Sequence, residues 1–205
     1  MDLSAALNAQ IRHLYDSLGV DHEETVSWVA ALGHDLRQAV GSYLGLQMVM
    51  VEHGHAVTLT EFDPTVRLQD VRTSVRVPLV PLGVEGADRA SMITFYAGVA
   101  GAFVDLSADL AYALSLPVRG PGDSPTEPET ERFAICIDDP VEPTTILSGL
   151  EGAAELSTVN RALGLLIGNG HPSSEEALAE LGRLAAVAGI SVLAFASQLV
   201  RPPKS

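Results

Sequence analysis

The sequence predicts an α+β chain: N-terminal helices and an antiparallel sheet with flanking helices, followed by a C-terminal all-α three-helix bundle. Three observations carry this. Apolar residues recur every three or four positions before Gly41, alternate with period two from Gly41 to Ala97, and return to helical spacing after Leu156. Glycine breaks at Gly168-Asn169-Gly170 and Gly189 divide that last region into three short helices. Between sheet and bundle, PVRGPGDSPTEPET (Pro117–Thr130) reads as an extended, semi-rigid linker. The expected divisions are an N-terminal helix over 1–20, a sheet domain over 21–117, an acidic Pro-rich linker with an extra strand over 118–143, and a helical domain over 144–205.

Composition bounds the function. A length of 205 residues supports one large or two small cores, and 47% hydrophobic content with 5% aromatics implies packing by Ala, Val and Leu. A formal charge of −14 disfavours unaided binding to nucleic acid or anionic membranes. The single cysteine, Cys136, excludes an intrachain disulfide and suits a reducing cytoplasm. The start, MDLSAALNAQIRHLYDSL, is amphipathic and acidic, unlike a secretory signal, and no apolar run reaches membrane-span length. A cytoplasmic location with no membrane partner is therefore expected.

In chain order, Leu3, Leu7, Ile11, Leu14 and Leu18 mark a first helix. Asp21 caps a second, with Glu23 and Glu24 in its first turn and Val26, Val29, Ala30, Leu36 and Trp28 along it. Residues 41–51 and 56–62 form an expected β-hairpin around Glu52-His53-Gly54-His55. A second strand pair covers 73–80 and 90–97. A helix over 105–116 should point Leu106, Leu110, Ala113 and Leu114 inward. RFAICID (Arg132–Asp138) alternates as an added edge strand. From Thr144, Ile146, Leu147, Leu150 and Ala154 begin a helix expected to continue into the bundle and couple the domains.

In the bundle, Leu156, Val159, Leu163, Leu166 and Ile167 form the first apolar stripe. Ser173 and Glu176 have capping-box spacing at the second helix, which carries Ala177, Leu178, Leu181, Leu184, Ala185 and Ala188. Ser191 caps a third helix, apolar on almost every side, and Pro202-Pro203 end it. Ala162, Gly164 and Leu166, then Ser174, Glu176, Ala177, Leu181 and Ala185, then Ala196, Leu199 and Val200 resemble the ANTAR domain, a three-helix RNA-binding module of bacterial antitermination regulators. The strand VRVPL, then SMITFYAG, Phe103 and DLSADLAYAL resemble the GAF domain, a small-molecule sensor or dimerisation module that commonly precedes ANTAR outputs.

The paired resemblances imply a homodimeric, signal-responsive regulator that binds stem-loop RNA to control transcription termination. Asn160, Arg161 and Arg183 would contact RNA, with Arg201 and Lys204 adding tail charge. Leu163 stands where that family usually has lysine, and only Arg161 and Arg183 are basic from Leu156 to Val200, against Glu175, Glu176 and Glu180. RNA affinity comes largely from phosphate neutralisation. The alternative reading is a degenerate ANTAR-like bundle serving dimerisation or protein interaction without RNA.

Other constellations carry less. Tyr43, Ser74, Thr94 and Tyr96 could line a ligand pocket; hydroxyls satisfying one another across strands explain them equally. His53 and His55 lack a third metal ligand, so a polar hairpin tip is expected there and no metal. Asp138-Asp139 reads as a solvated turn. Cys136 has only Arg132 as a nearby base in sequence. No GxSxG, Walker A, HExxH or GxGxxG motif occurs, so neither an enzyme nor a cofactor is expected.

Overall fold

The computed structural model describes residues 22–52, 54–79, 90–121, 123, 134–138, 143, 148–170 and 173–201. The expected first helix and Lys204 lie outside these. The chain divides into two compact units, one from Met1–Val51 and Thr58–Leu150, the other from Glu52–Val57 and Glu151–Ser205. The architecture is α+β: a seven-stranded mixed sheet with helices, and three C-terminal helices in mutual contact.

The second predicted helix is α1 (His22–Ala39), which buries Leu32 and Leu36. The hairpin follows as β1 (Tyr43–Glu52) and β2 (His55–Phe62), adjacent in the sheet. Only antiparallel strands can be joined by so short a connection. β3 (Thr73–Pro78) and β4 (Met92–Ala97) are the second predicted pair, antiparallel with Val75 opposite Phe95. β4 also pairs antiparallel with β1, setting Leu46 opposite Phe95 and Met48 opposite Ile93. Val75, Val77, Leu46, Met48, Ile93 and Phe95 are all fully buried, so this face of the central strands is the core of the sheet unit. At about 25 cal/mol per Å² of apolar surface, each such side chain contributes roughly 1.5–3 kcal/mol.

The remainder of this unit departs from expectation in three places. The helix over 105–116 forms as α2 (Val104–Leu114) and buries Leu106 and Leu110, but Ala113 is exposed and Ser107 takes an inward position, its hydroxyl donating to Val104 O. Inside the supposed linker lies β5 (Val118–Arg119), parallel to β6 (Ile135–Ile137). The sheet is therefore mixed. β6 also pairs with β3, so it is an interior strand and β5 forms the edge, in the order β5-β6-β3-β4-β1-β2-β7. A proline-rich composition hid a pairing that needs only two extended residues.

The third departure concerns the helix expected from Thr144. Residues 149–151 are instead strand β7 (Gly149–Glu151), and α3 (Ala153–Gly168) begins after Gly152. Gly152 has φ 82, in the left-handed region, and a Cβ there would collide with the Ala56 carbonyl oxygen. Only glycine fits this corner. It breaks the helical path at that point; Ile146 and Leu147 lie outside the described residues.

α4 (Ser174–Ala188) and α5 (Val192–Val200) complete the second unit, and each of its three helices touches both others. Ser173 caps α4 by accepting from Glu176 N at 3.1 Å, and Ser191 caps α5 by accepting from Ala194 N at 3.2 Å. Gly189, at φ 68, ends α4, and α5 leaves it at a bend of 101°. Val159, Ala162, Leu163, Leu166, Ala177, Leu181 and Ala196 form the core. Leu178 and Leu184 are half-buried and Ala188 is exposed, so the α4 stripe is narrower than its spacing implies. On α5 only Ala196 is fully buried, with Phe195, Leu199 and Val200 half-buried.

Candidate functional site

Register places an unusual set of side chains on the sheet face opposite the apolar core. Residues paired across strands share a face, and successive residues alternate. Gln47 on β1 lies opposite Thr94 on β4, which lies opposite Arg76 on β3, which lies opposite Cys136 on β6, which lies opposite Arg119 on β5. Gln47 Nε2 donates to Thr60 Oγ1 on β2 at 3.2 Å, extending the row to a sixth strand. The neighbouring row holds Ser74, Tyr96 and Gly45, with the Phe62 ring 5.3 Å from that of Tyr96.

This face is polar yet shielded. Gln47, Thr60, Ser74 and Thr94 are at most 6% exposed and Tyr96 is at 0%. Buried polar groups are ordinarily hydrogen-bonded. Tyr96 Oη is not. Burial pushes its pKa up to about 12, opposed by the Thr94 hydroxyl and then by the charge of Arg76. Both groups therefore lie within electrostatic reach of Tyr96 Oη, though neither forms a bond of normal geometry with it. Along the row, exposure rises from buried Thr60, Gln47 and Thr94 to half-buried Arg76, Cys136 and Arg119.

Of the four residues expected to line a pocket, the structure brings Ser74, Thr94 and Tyr96 onto this face and sets Tyr43 on the other. The cause is a register shift between Tyr43 and Gly45. Gly45 approaches β2 so closely that a Cβ would meet the Phe62 ring at 2.6 Å. A strand glycine commonly marks such a bulge. Tyr43 consequently lies beside Arg37, whose Cζ is 5.6 Å from the ring centre and whose Nη2 donates to Glu61 Oε1 at 3.1 Å. Burial, and then the Glu61 charge, raise the Tyr43 pKa well above its ordinary value, while Arg37 opposes them.

Sequence reasoning missed Gln47, Arg76 and Arg119. It also assigned Cys136 only Arg132, whereas the strands flank it with two other arginines. Asp138 accepts from Thr73 Oγ1 and from Ser74 N, so it ties β6 to β3; Asp139 lies outside the described residues. Among the described residues no group of three or more His, Cys, Asp or Glu could hold a metal. Nor is any single helix there long and apolar enough to cross a membrane.

On the helical unit, Asn160 and Arg161 are exposed on the α3 surface away from the core. Arg183 is exposed and bonded twice to Glu180, at 2.7 and 2.6 Å, and this pairing raises its pKa. Arg201 is exposed at the end of α5. Thus Asn160 and Arg161 share one surface, while Arg183 lies on a different helix and is already paired.

Comparison of the chain with protein-family models, curated proteins and solved structures finds no match.

Proposed function

We propose that this chain is a signal-responsive regulator, in which the sheet unit binds a small molecule and the helical unit is the output. The observation that carries the reading is the shielded polar face, above all the unsatisfied Tyr96 hydroxyl beside Thr94 and Arg76. A buried polar atom without a partner costs about 1–3 kcal/mol. A ligand that supplies the missing partner offsets that cost and gains specificity.

The resemblance to GAF and ANTAR domains extends the proposal to the output: a homodimer whose helical unit engages stem-loop RNA through Asn160 and Arg161, with Arg183, Arg201 and Lys204 adding charge. The exposure of Asn160, Arg161, Arg183 and Arg201 supports it. The test is a salt titration of binding to short RNA hairpins by the full chain and by its Arg161→Glu/Arg183→Glu variant. Affinity that falls with salt and is lost in the variant, with melting unchanged, is the expected result. Equal affinity in both proteins removes these arginines from the mechanism.

A second reading, an interaction module without RNA, is favoured by a specific observation. Around Arg161, α3 exposes Gly164, Leu165 and Gly168, and a Cβ at either glycine would meet nothing within 4 Å. Glu52, Glu151, Glu155, Glu175, Glu176 and Glu180 outweigh Arg161, Arg183, Arg201 and Lys204 in the sequence of this unit. Absence of hairpin binding even at low salt decides for this reading.

A further inference from the structure

We infer that residues 148–152 are a two-state segment: the strand path seen here, and a helix that extends α3 backwards to a cap at Ser148. The inference goes beyond the small-molecule and RNA readings and depends on neither. Its first support is that one hydroxyl serves either state. In the strand state Ser148 Oγ accepts from Phe62 N at 3.0 Å and donates to Phe62 O at 3.1 Å. Phe62 is a firm anchor, 3% exposed, with its ring 5.3 Å from that of Tyr96 and close against Gly45. Yet Ser148-Gly149-Leu150-Glu151 is also a Ser-x-x-Glu sequence, the spacing of a capping box. As N-cap, Ser148 Oγ would accept from Glu151 N, and the Glu151 carboxylate would accept from Ser148 N. The strand leaves that box unmade, with Glu151 exposed.

The second support is the start of α3. Gly152 stands at its N-cap and offers no side chain to the first turn. A helical path through 148–151 would turn its carbonyl oxygens to the N–H groups of 152–155, which a helix start otherwise leaves without intrahelical partners. Lengthening an existing helix also avoids the cost of nucleating a new one. The third support is the hinge. Gly152 has φ 82, and a Cβ there would lie 2.3 Å from Ala56 O, so the strand state needs glycine. Glycine reaches the helical φ of about −63° as readily, so rotation at this one residue separates the two paths. β7 itself buries little: Gly149 and Glu151 are exposed and Leu150 is half-buried. Against the helix stand Gly149 and Gly152, poor helix formers, which keep the strand as the major state. The chain passes from its first unit to its second for the last time at Leu150–Glu151. The switch therefore sets whether that link is a glycine corner or a continuous helix.

The test is chemical-exchange saturation transfer NMR on the full chain, reading the Cα chemical shifts of Leu150 and Glu151. Both should be strand-like in the unmodified protein. Gly152→Ala obstructs the strand state and favours the helix, so both shifts should become helical, with amide exchange at 153–155 slowed about tenfold. Strand shifts that persist, or that vanish without helical ones in an otherwise folded variant, overturn the inference. If Gly152→Ala fails to fold, Gly149→Ala decides. A Cβ at Gly149 would meet nothing within 4 Å, so the strand state is undisturbed, while the minor helical population should rise about fivefold. A helical minor state at 150 and 151, more populated in Gly149→Ala than in the unmodified chain, sustains the inference. Its absence from that variant, or an equal population in the two proteins, overturns it.

Discussion

Replacing Tyr96 with phenylalanine separates stability from binding. Tyr96 is fully buried, its ring stacks at 5.3 Å and 34° on Phe62, and its hydroxyl lacks a hydrogen-bond partner. Phenylalanine keeps the ring contact and deletes only the hydroxyl. An unsatisfied buried polar group costs about 1–3 kcal/mol. The nearby Thr94 dipole and Arg76 charge recover part of this, so the variant should gain about 1 kcal/mol, or about 2–4 °C in melting temperature for a chain of this length. Urea unfolding of the full chain without added anions, followed by circular dichroism, measures it. On the proposed small-molecule reading, the same variant should bind that ligand more weakly, a gain in stability with a loss of function.

Alkaline titration gives an internal check with a fixed sign. The folded-state pKa of Tyr96, about 12, lies above its ordinary 10.0. Its contribution is therefore fully present below pH 10 and lost as pH rises through the folded value, with a slope of up to about 1.4 kcal/mol per pH unit. Tyr43, also raised, acts in the same sense. The phenylalanine variant should show a shallower alkaline loss, retaining only the Tyr43 part. A destabilisation of about 1 kcal/mol or more at neutral pH would refute the reasoning, since it would mean that Tyr96 Oη makes a hydrogen bond in the folded protein.

Two further substitutions test the packing. Leu181→Ala removes a fully buried side chain from the helical core and should cost about 2–5 kcal/mol, read as a lower urea midpoint for helix loss. Gly152→Ala places a Cβ against the Ala56 carbonyl at a positive φ and should cost at least about 2 kcal/mol by the same measurement. A neutral result would mean that this corner relaxes freely.

Local signals in the sequence identify the elements whose causes are local. Ser173 and Ser191 announce their caps, Gly189 its helix end, and period-two alternation the strands β1 to β4. The candidate site is different, because it is made by register. Arg76, Cys136 and Arg119 are distant in sequence and meet only through a parallel pairing that two residues of a proline-rich stretch supply. Tyr43 was grouped with Tyr96 because strand period alone sees no bulge; Gly45 was the available clue. The strand at 149–151 escaped for the opposite reason. Leu150 and Ala154 fit a helical period, and nothing local reveals that Ala56 occupies the space a side chain at Gly152 would need.

The two outermost strands of the sheet, β5 and β7, have two and three residues. Edges this short offer too few unpaired backbone groups to template a further strand. Among the described residues, assembly through these two strands would therefore gain little from lengthening a ladder, and side chains on helices or faces are the more effective means of contact. That makes its partner choice a matter of surface chemistry, which can change by single substitutions without disturbing the fold.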